Sequence, residues 1–127
     1  MNTKVLIIED DFIIQMFLEN IISSIGCNIV ATVDNSDDGI KMIEEYSPDI
    51  ILMDIGIAGK KDGIETAELI NEKFQIPFIF ITGNSDFTTI DRAKKTSPIH
   101  IFNKPIEQEV LSSELIEICK KIHTPLT

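Results

Sequence analysis

Five short apolar runs, each followed by a stretch of helical periodicity, leave this chain few ways to fold. The runs lie at residues 4–8, 29–33, 49–53, 78–81 and 99–102. Each is too short for a buried helix and apolar at nearly every position, as a strand covered on both faces must be. The intervening segments read as helices. The first spans 11–25, with Ile13, Ile14, Phe17, Leu18, Ile21, Ile22 and Ile25 at i, i+3, i+4 spacing and Gly26 as its stop. The second starts from Ser36 as a cap and ends before Pro48. The others span 63–74, 86–95 and 107–122, the last offering Val110, Leu111, Leu115, Ile118 and Ile122 to a core. Strict alternation of strand and helix predicts a parallel sheet with helices on both faces, joined by right-handed crossovers. Of the two common doubly wound orders, five units favour the flavodoxin-like 2-1-3-4-5 over the Rossmann arrangement.

Composition narrows the function classes. A chain of 127 residues, 43% hydrophobic and 25% charged, makes one globular domain. A net charge of −10 argues against a nucleic-acid backbone or an anionic membrane as partner. No apolar run approaches the roughly 18 residues that span a bilayer. Strand one follows Met1 too closely for a signal peptide, so a cytoplasmic location is expected. Cys27 and Cys119 lie in no metal or redox spacing and read as reduced, buried residues, with a single disulfide left open.

The chemistry gathers where strands end. Strand one runs into Glu9, Asp10 and Asp11, and strand three into Asp54. In the 2-1-3-4-5 order these strands are neighbours, which brings Asp10, Asp11 and Asp54 to one switch point. Strand four ends on Thr82, and strand five is closed by Asn103, Lys104 and Pro105. Singly, each has an ordinary reading: helix-dipole acids, a turn aspartate, a strand-end threonine, a solvated lysine. Together they supply oxygen ligands suited to Mg²⁺, a carboxylate nucleophile for phosphorus, and a cation and a hydroxyl for phosphoryl oxygens. No Walker-type loop or GxGxxG run is present, and His100 and His123 have no triad partners.

On these residues the chain resembles a receiver domain of two-component response regulators, over essentially its whole length. The matching positions are Glu9-Asp10-Asp11, Asp54, Thr82 and Lys104-Pro105. The resemblance implies a receiver domain over 1–123 with a frayed tail at 124–127. It implies Asp54 as phosphoacceptor, taking its phosphoryl group from a sensor histidine kinase or histidine phosphotransfer protein. Asp10, Asp11, Asp54 and the Gly56 backbone carbonyl would hold Mg²⁺, Thr82 and Lys104 would contact the phosphoryl oxygens, and the Lys104–Pro105 bond would be cis. Such a protein is not an enzyme beyond its own phosphorylation and dephosphorylation. It would signal through helix four, strand five and helix five, a face also suited to a homodimer. One position departs from the family: Ile101 stands where a switching aromatic is usual, and Phe102 should point to the opposite face. Two other readings stay open. One is a small Mg²⁺-dependent phosphatase with an aspartate nucleophile, weakened by Gly56 where that class has a second acid. The other is a pseudo-receiver that binds without phosphorylation.

Overall fold

Five parallel strands, β1 (Lys4–Ile8), β2 (Asn28–Val33), β3 (Ile50–Asp54), β4 (Phe78–Thr82) and β5 (His100–Asn103), pair in the order β2-β1-β3-β4-β5. Helices α1 (Phe12–Ser24), α2 (Ser36–Tyr46), α3 (Gly63–Lys73), α4 (Phe87–Lys94) and α5 (Gln108–His123) alternate with them. The computed structural model describes residues 2–57 and 59–123, so the tail expected at 124–127 lies outside the described residues. The sheet order is the flavodoxin-like one expected from the alternation.

The pleat explains why the central strands are apolar at every position. In β1, Val5 and Ile7 face a core shared with Leu18, Ile21, Leu115 and Ile118 of α1 and α5. Leu6 and Ile8 face a second core with Ile43, Ile64, Ala67 and Ala93 of α2, α3 and α4. Ile50 to Met53 of β3 are likewise buried on both faces. At about 1.5–3 kcal/mol each, these four side chains contribute roughly 6–12 kcal/mol before entropy. That exceeds the few kcal/mol needed to hold the Asp54 carboxylate at the strand end, where it is only 8% exposed.

Local signals set the boundaries. The Asp11 carboxylate accepts from the Ile13 and Ile14 amides at 2.9 and 3.2 Å and caps α1. Gly26, at φ 84°, turns the chain out of α1 in a conformation that favours glycine. The cap of α2 is Asn35 rather than Ser36: its side chain accepts from the Asp38 amide at 2.9 Å. Ser36 instead opens the helix, buried, and its hydroxyl accepts from Thr66 at 2.7 Å. An Asp62–Glu65 capping box starts α3. Strands β3, β4 and β5 each end one residue later than expected, which makes Asp54 and Thr82 strand residues, Asp54 paired with Ile81 and Thr82 with Asn103.

Two core assignments reverse. Ile13 is 75% exposed, and with Phe12 (70%) and Met16 it forms an outer apolar stripe on α1. Val110 is also exposed. Because α1 is apolar on more than one face, packing chose its Leu18–Ile21–Ile22 side and left the Ile13–Met16 side outside.

Candidate functional site

The carboxyl ends of β1, β3, β4 and β5 converge on one edge of the sheet. There, carboxylate oxygens of Glu9, Asp10 and Asp54 lie within 4.8 Å of one another. Asp10 is exposed, Asp54 nearly buried and Glu9 1% exposed. The Lys104 ammonium reaches over this group from the loop after β5, 3.0 Å from Glu9 Oε1 and 3.4 Å from Asp54 Oδ2. Its backbone is pinned by the Lys104 amide donating to the Thr82 carbonyl at 2.8 Å, and the Lys104–Pro105 bond is cis.

The expected ligand pair, Asp10 and Asp11, is not what this edge assembles. Asp11 is spent on capping α1, and Glu9 takes its place beside Asp10 and Asp54. Glu9 stays in the sheet ladder, its amide donating to the Val33 carbonyl at 2.9 Å, and its own carbonyl accepts from the Gln15 side chain at 2.6 Å. Its Oε2 accepts from the Asp11 amide at 3.1 Å. The signal that could have separated the three acids is positional. Asp11 directly precedes Phe12-Ile13-Ile14, where a helix needs a capping acceptor, whereas Glu9 directly extends the strand.

Burial pushes the Glu9 carboxyl up to about 7; the nearby Asp54 charge adds to this, while the Asp11 amide and Lys104 pull the other way. Burial would lower Lys104, but Glu9 and Asp54 more than reverse that, and its pKa ends above the ordinary lysine value. The ammonium therefore stays charged. Glu9 Oε1 is buried and accepts no hydrogen bond, its contact with Lys104 being ionic without hydrogen-bond alignment. A buried carboxylate oxygen that no hydrogen-bond donor satisfies, within an all-oxygen acidic set, fits a hard divalent cation such as Mg²⁺.

Asp54 is held by its own loop, with the Gly56 amide donating to Oδ1 at 3.2 Å. Thr82, buried at the end of β4, accepts from the Asn84 amide at 3.0 Å, so its hydroxyl is engaged with the following turn. Ile101 pairs with Phe80 and packs into the α2–α3–α4 core, while Phe102 faces the other one, as strand alternation requires. Gly63 backs the Asp54 loop, its amide donating to the Ile55 carbonyl at 2.7 Å. A Cβ there would overlap the Asp54 carbonyl oxygen and lie 2.7 Å from Ile55 Cα. Both neighbours are backbone and cannot yield by a rotamer change. Gly63→Ala is therefore expected to destabilise the fold by about 1–3 kcal/mol, read as a lower urea midpoint; an unchanged midpoint would show that α3 slides without cost.

Comparison with known proteins agrees with this geometry. The response regulator receiver domain model matches residues 5–116. The transcriptional regulatory protein KdpE of Staphylococcus aureus is 32% identical over 125 residues, covering 97% of this chain and 53% of that protein. AfsQ1 of Streptomyces coelicolor is 29% identical over 118 residues, covering 93% of this chain and 52% of its own length. The chain thus spans about half the length of the curated relatives it matches. Among solved structures, the signal receiver domain of a modulated diguanylate cyclase from Desulfovibrio desulfuricans superposes with a TM-score of 0.84 at 32% identity, covering 98% of this chain and 100% of that one. No helix among the described residues is long and apolar enough to cross a membrane. A sheet of this order, with its acids and lysine on the switch-point edge and a family match over most of its length, places the chain in the response regulator receiver domain family.

Proposed function

We propose that this chain is a phosphorylation-controlled signalling module whose phosphoacceptor is Asp54. The reading rests above all on Glu9, Asp10 and Asp54 converging under the Lys104 ammonium. When bound by Asp10, Asp54, Glu9 and the Gly56 carbonyl, Mg²⁺ supplies positive charge to the phosphoryl oxygens. An Asp54 carboxylate oxygen attacks phosphorus, the bond to the donor's imidazole nitrogen breaks, and an acyl-phosphate remains on Asp54. Lys104 stabilises the charge spread over the transferring group. The Thr82 hydroxyl turns from its local turn to donate to a phosphoryl oxygen. Gly56 carries no side chain, so water reaches the acyl-phosphate from that side, and Asn84 stands by the Thr82 turn. Intact mass after incubation with acetyl phosphate and Mg²⁺ tests this function directly; absence of an adduct would favour the pseudo-receiver reading. The phosphatase reading finds no second acid at Gly56.

The donor is a histidine kinase or a histidine phosphotransfer protein, and it docks beside the acids. Phe12, Ile13 and Met16 expose an apolar stripe on α1, and a groove between Ile13, Ile14, Phe17, Pro105 and Ile106 continues it. Such a surface suits an amphipathic helix carrying the phosphohistidine. Ile13→Asp is expected to slow transfer from a phosphorylated protein donor tenfold or more while leaving acetyl phosphate reactivity within twofold. Equal slowing with both donors would place the defect in the chemistry instead.

Output follows from Thr82. A ligand shifts a conformation only through contacts that differ between its two states. With β-branched Ile101 in place of an aromatic, those contacts come mainly from Thr82 and residues 83–85. Beryllofluoride with Mg²⁺ should change hydrogen exchange over 82–95 more than over 99–102; an equal or larger change in the 99–102 segment would assign the switch to Ile101. The α4–β5–α5 face is the proposed surface for a downstream partner or a second copy. Several of its charges pair within their own helices, Lys95 with Asp91 at 3.3 Å and Lys120 with Glu117 at 3.6 Å.

A further inference from the structure

Away from the acids, at the opposite end of the sheet, two thiols face each other. Cys27 stands between Gly26 and β2, its amide donating to the Ile22 carbonyl at 3.1 Å, and Cys119 lies in the last two turns of α5. Their sulfurs are 3.7 Å apart although the residues are 92 positions apart in sequence. Both are free and buried, Cys27 at 8% exposure and Cys119 at 1%. We propose that this pair is an oxidative modification site, closed by peroxide into an internal disulfide that staples α5 to the turn between α1 and β2. A disulfide needs the sulfurs at about 2.05 Å, so each side chain has to supply only part of a short approach.

The two thiols have different roles. Cys119 is held protonated by its burial, with the neighbouring Cys27 adding to the effect, and its pKa is pushed up to about 11. Cys27 is the more exposed of the two and the one a small oxidant meets first. Its thiolate sulfur attacks a peroxide oxygen, the O–O bond breaks, and Cys27 becomes a sulfenic acid as one water leaves. The Cys119 sulfur then attacks the Cys27 sulfur, the S–O bond breaks, and the departing hydroxide takes the Cys119 proton as a second water. Two thiols and one peroxide thus give one disulfide and two waters. Contact between the sulfurs favours this closure over a second peroxide attack, so sulfinic acid does not build up.

The link lies where β2 begins, with Asn28 paired to Lys4, whereas the acids lie at the strands' other ends. Oxidation should therefore leave Asp54 phosphorylation within twofold. Closing a loop of this length should raise Tm on the order of 10 °C, reversed by dithiothreitol. The experiment treats the full chain with hydrogen peroxide, alkylates remaining thiols in denaturant and maps peptides without reduction. Oxidation of half-exposed Met16 serves as the internal measure of peroxide exposure. The expected result is a Cys27–Cys119 cross-linked peptide from monomeric protein by the time Met16 is oxidised, absent in Cys27→Ser and in Cys119→Ser. Complete Met16 oxidation with both thiols still alkylatable would overturn the proposal. So would sulfinic acid or intermolecular disulfides in place of the internal link, or an internal link that leaves Tm unchanged.

Discussion

Asp54→Asn is expected to abolish phosphorylation while the fold persists. After incubation with acetyl phosphate and Mg²⁺, wild type should gain about 80 Da, the mass of one phosphoryl group, and the variant should gain nothing. The amide is nearly isosteric, and its oxygen can still accept from the Gly56 amide that now bonds Oδ1. What it loses is nucleophilicity and charge. Removing one of two carboxylates that crowd each other beside Lys104 relieves repulsion with buried Glu9, so thermal stability should hold or rise. An adduct of undiminished stoichiometry on the variant would take Asp54 out of this role, and a collapsed fold would make it structural.

The three acids after β1 should separate cleanly in Mg²⁺ titration by calorimetry. Asp10→Asn and Glu9→Gln are each expected to weaken binding tenfold or more, about 1.4 kcal/mol. Asp11→Ala should leave affinity within about threefold but cost about 1 kcal/mol of stability, because its carboxylate caps α1. A sharp loss of Mg²⁺ affinity in Asp11→Ala alone would restore Asp11 as a ligand. Glu9 also sets the pH response. In the metal-free protein its pKa is about 7, against 4.5 for the free side chain, so the folded state keeps a proton that the unfolded chain has lost between those values. The stability this proton contributes is complete below about 4.5 and is lost as pH rises through about 7, at most about 3 kcal/mol. Mg²⁺ needs the ionised form, so its affinity should climb from pH 6 to 8. Glu9→Gln should flatten both trends; persistence of either would assign it to another group.

The alternation of apolar runs with helical periods by itself determines the architecture. Strands buried on both faces must be apolar throughout, and a parallel order of five such units has few realisations. The same order was enough to bring the ends of β1, β3, β4 and β5 together, which is why Asp54, Thr82 and Lys104 could be picked out at that edge. The partition of the acids was another matter. Three consecutive carboxylates are indistinguishable by residue type, and a turn of one residue decides which extends the sheet and which caps the helix. Only the ladder bond from the Glu9 amide to Val33 and the Asp11 bonds to Ile13 and Ile14 settled it. The outward stripe of α1 was hidden for a related reason: a helix apolar on several faces does not encode which one packs, and neighbouring strands and α5 made that choice. The contact between Cys27 and Cys119 lies at the far end of the same dependence. Nothing local links residues 92 positions apart, and their sulfurs meet only because α5 returns across the sheet to the start of β2.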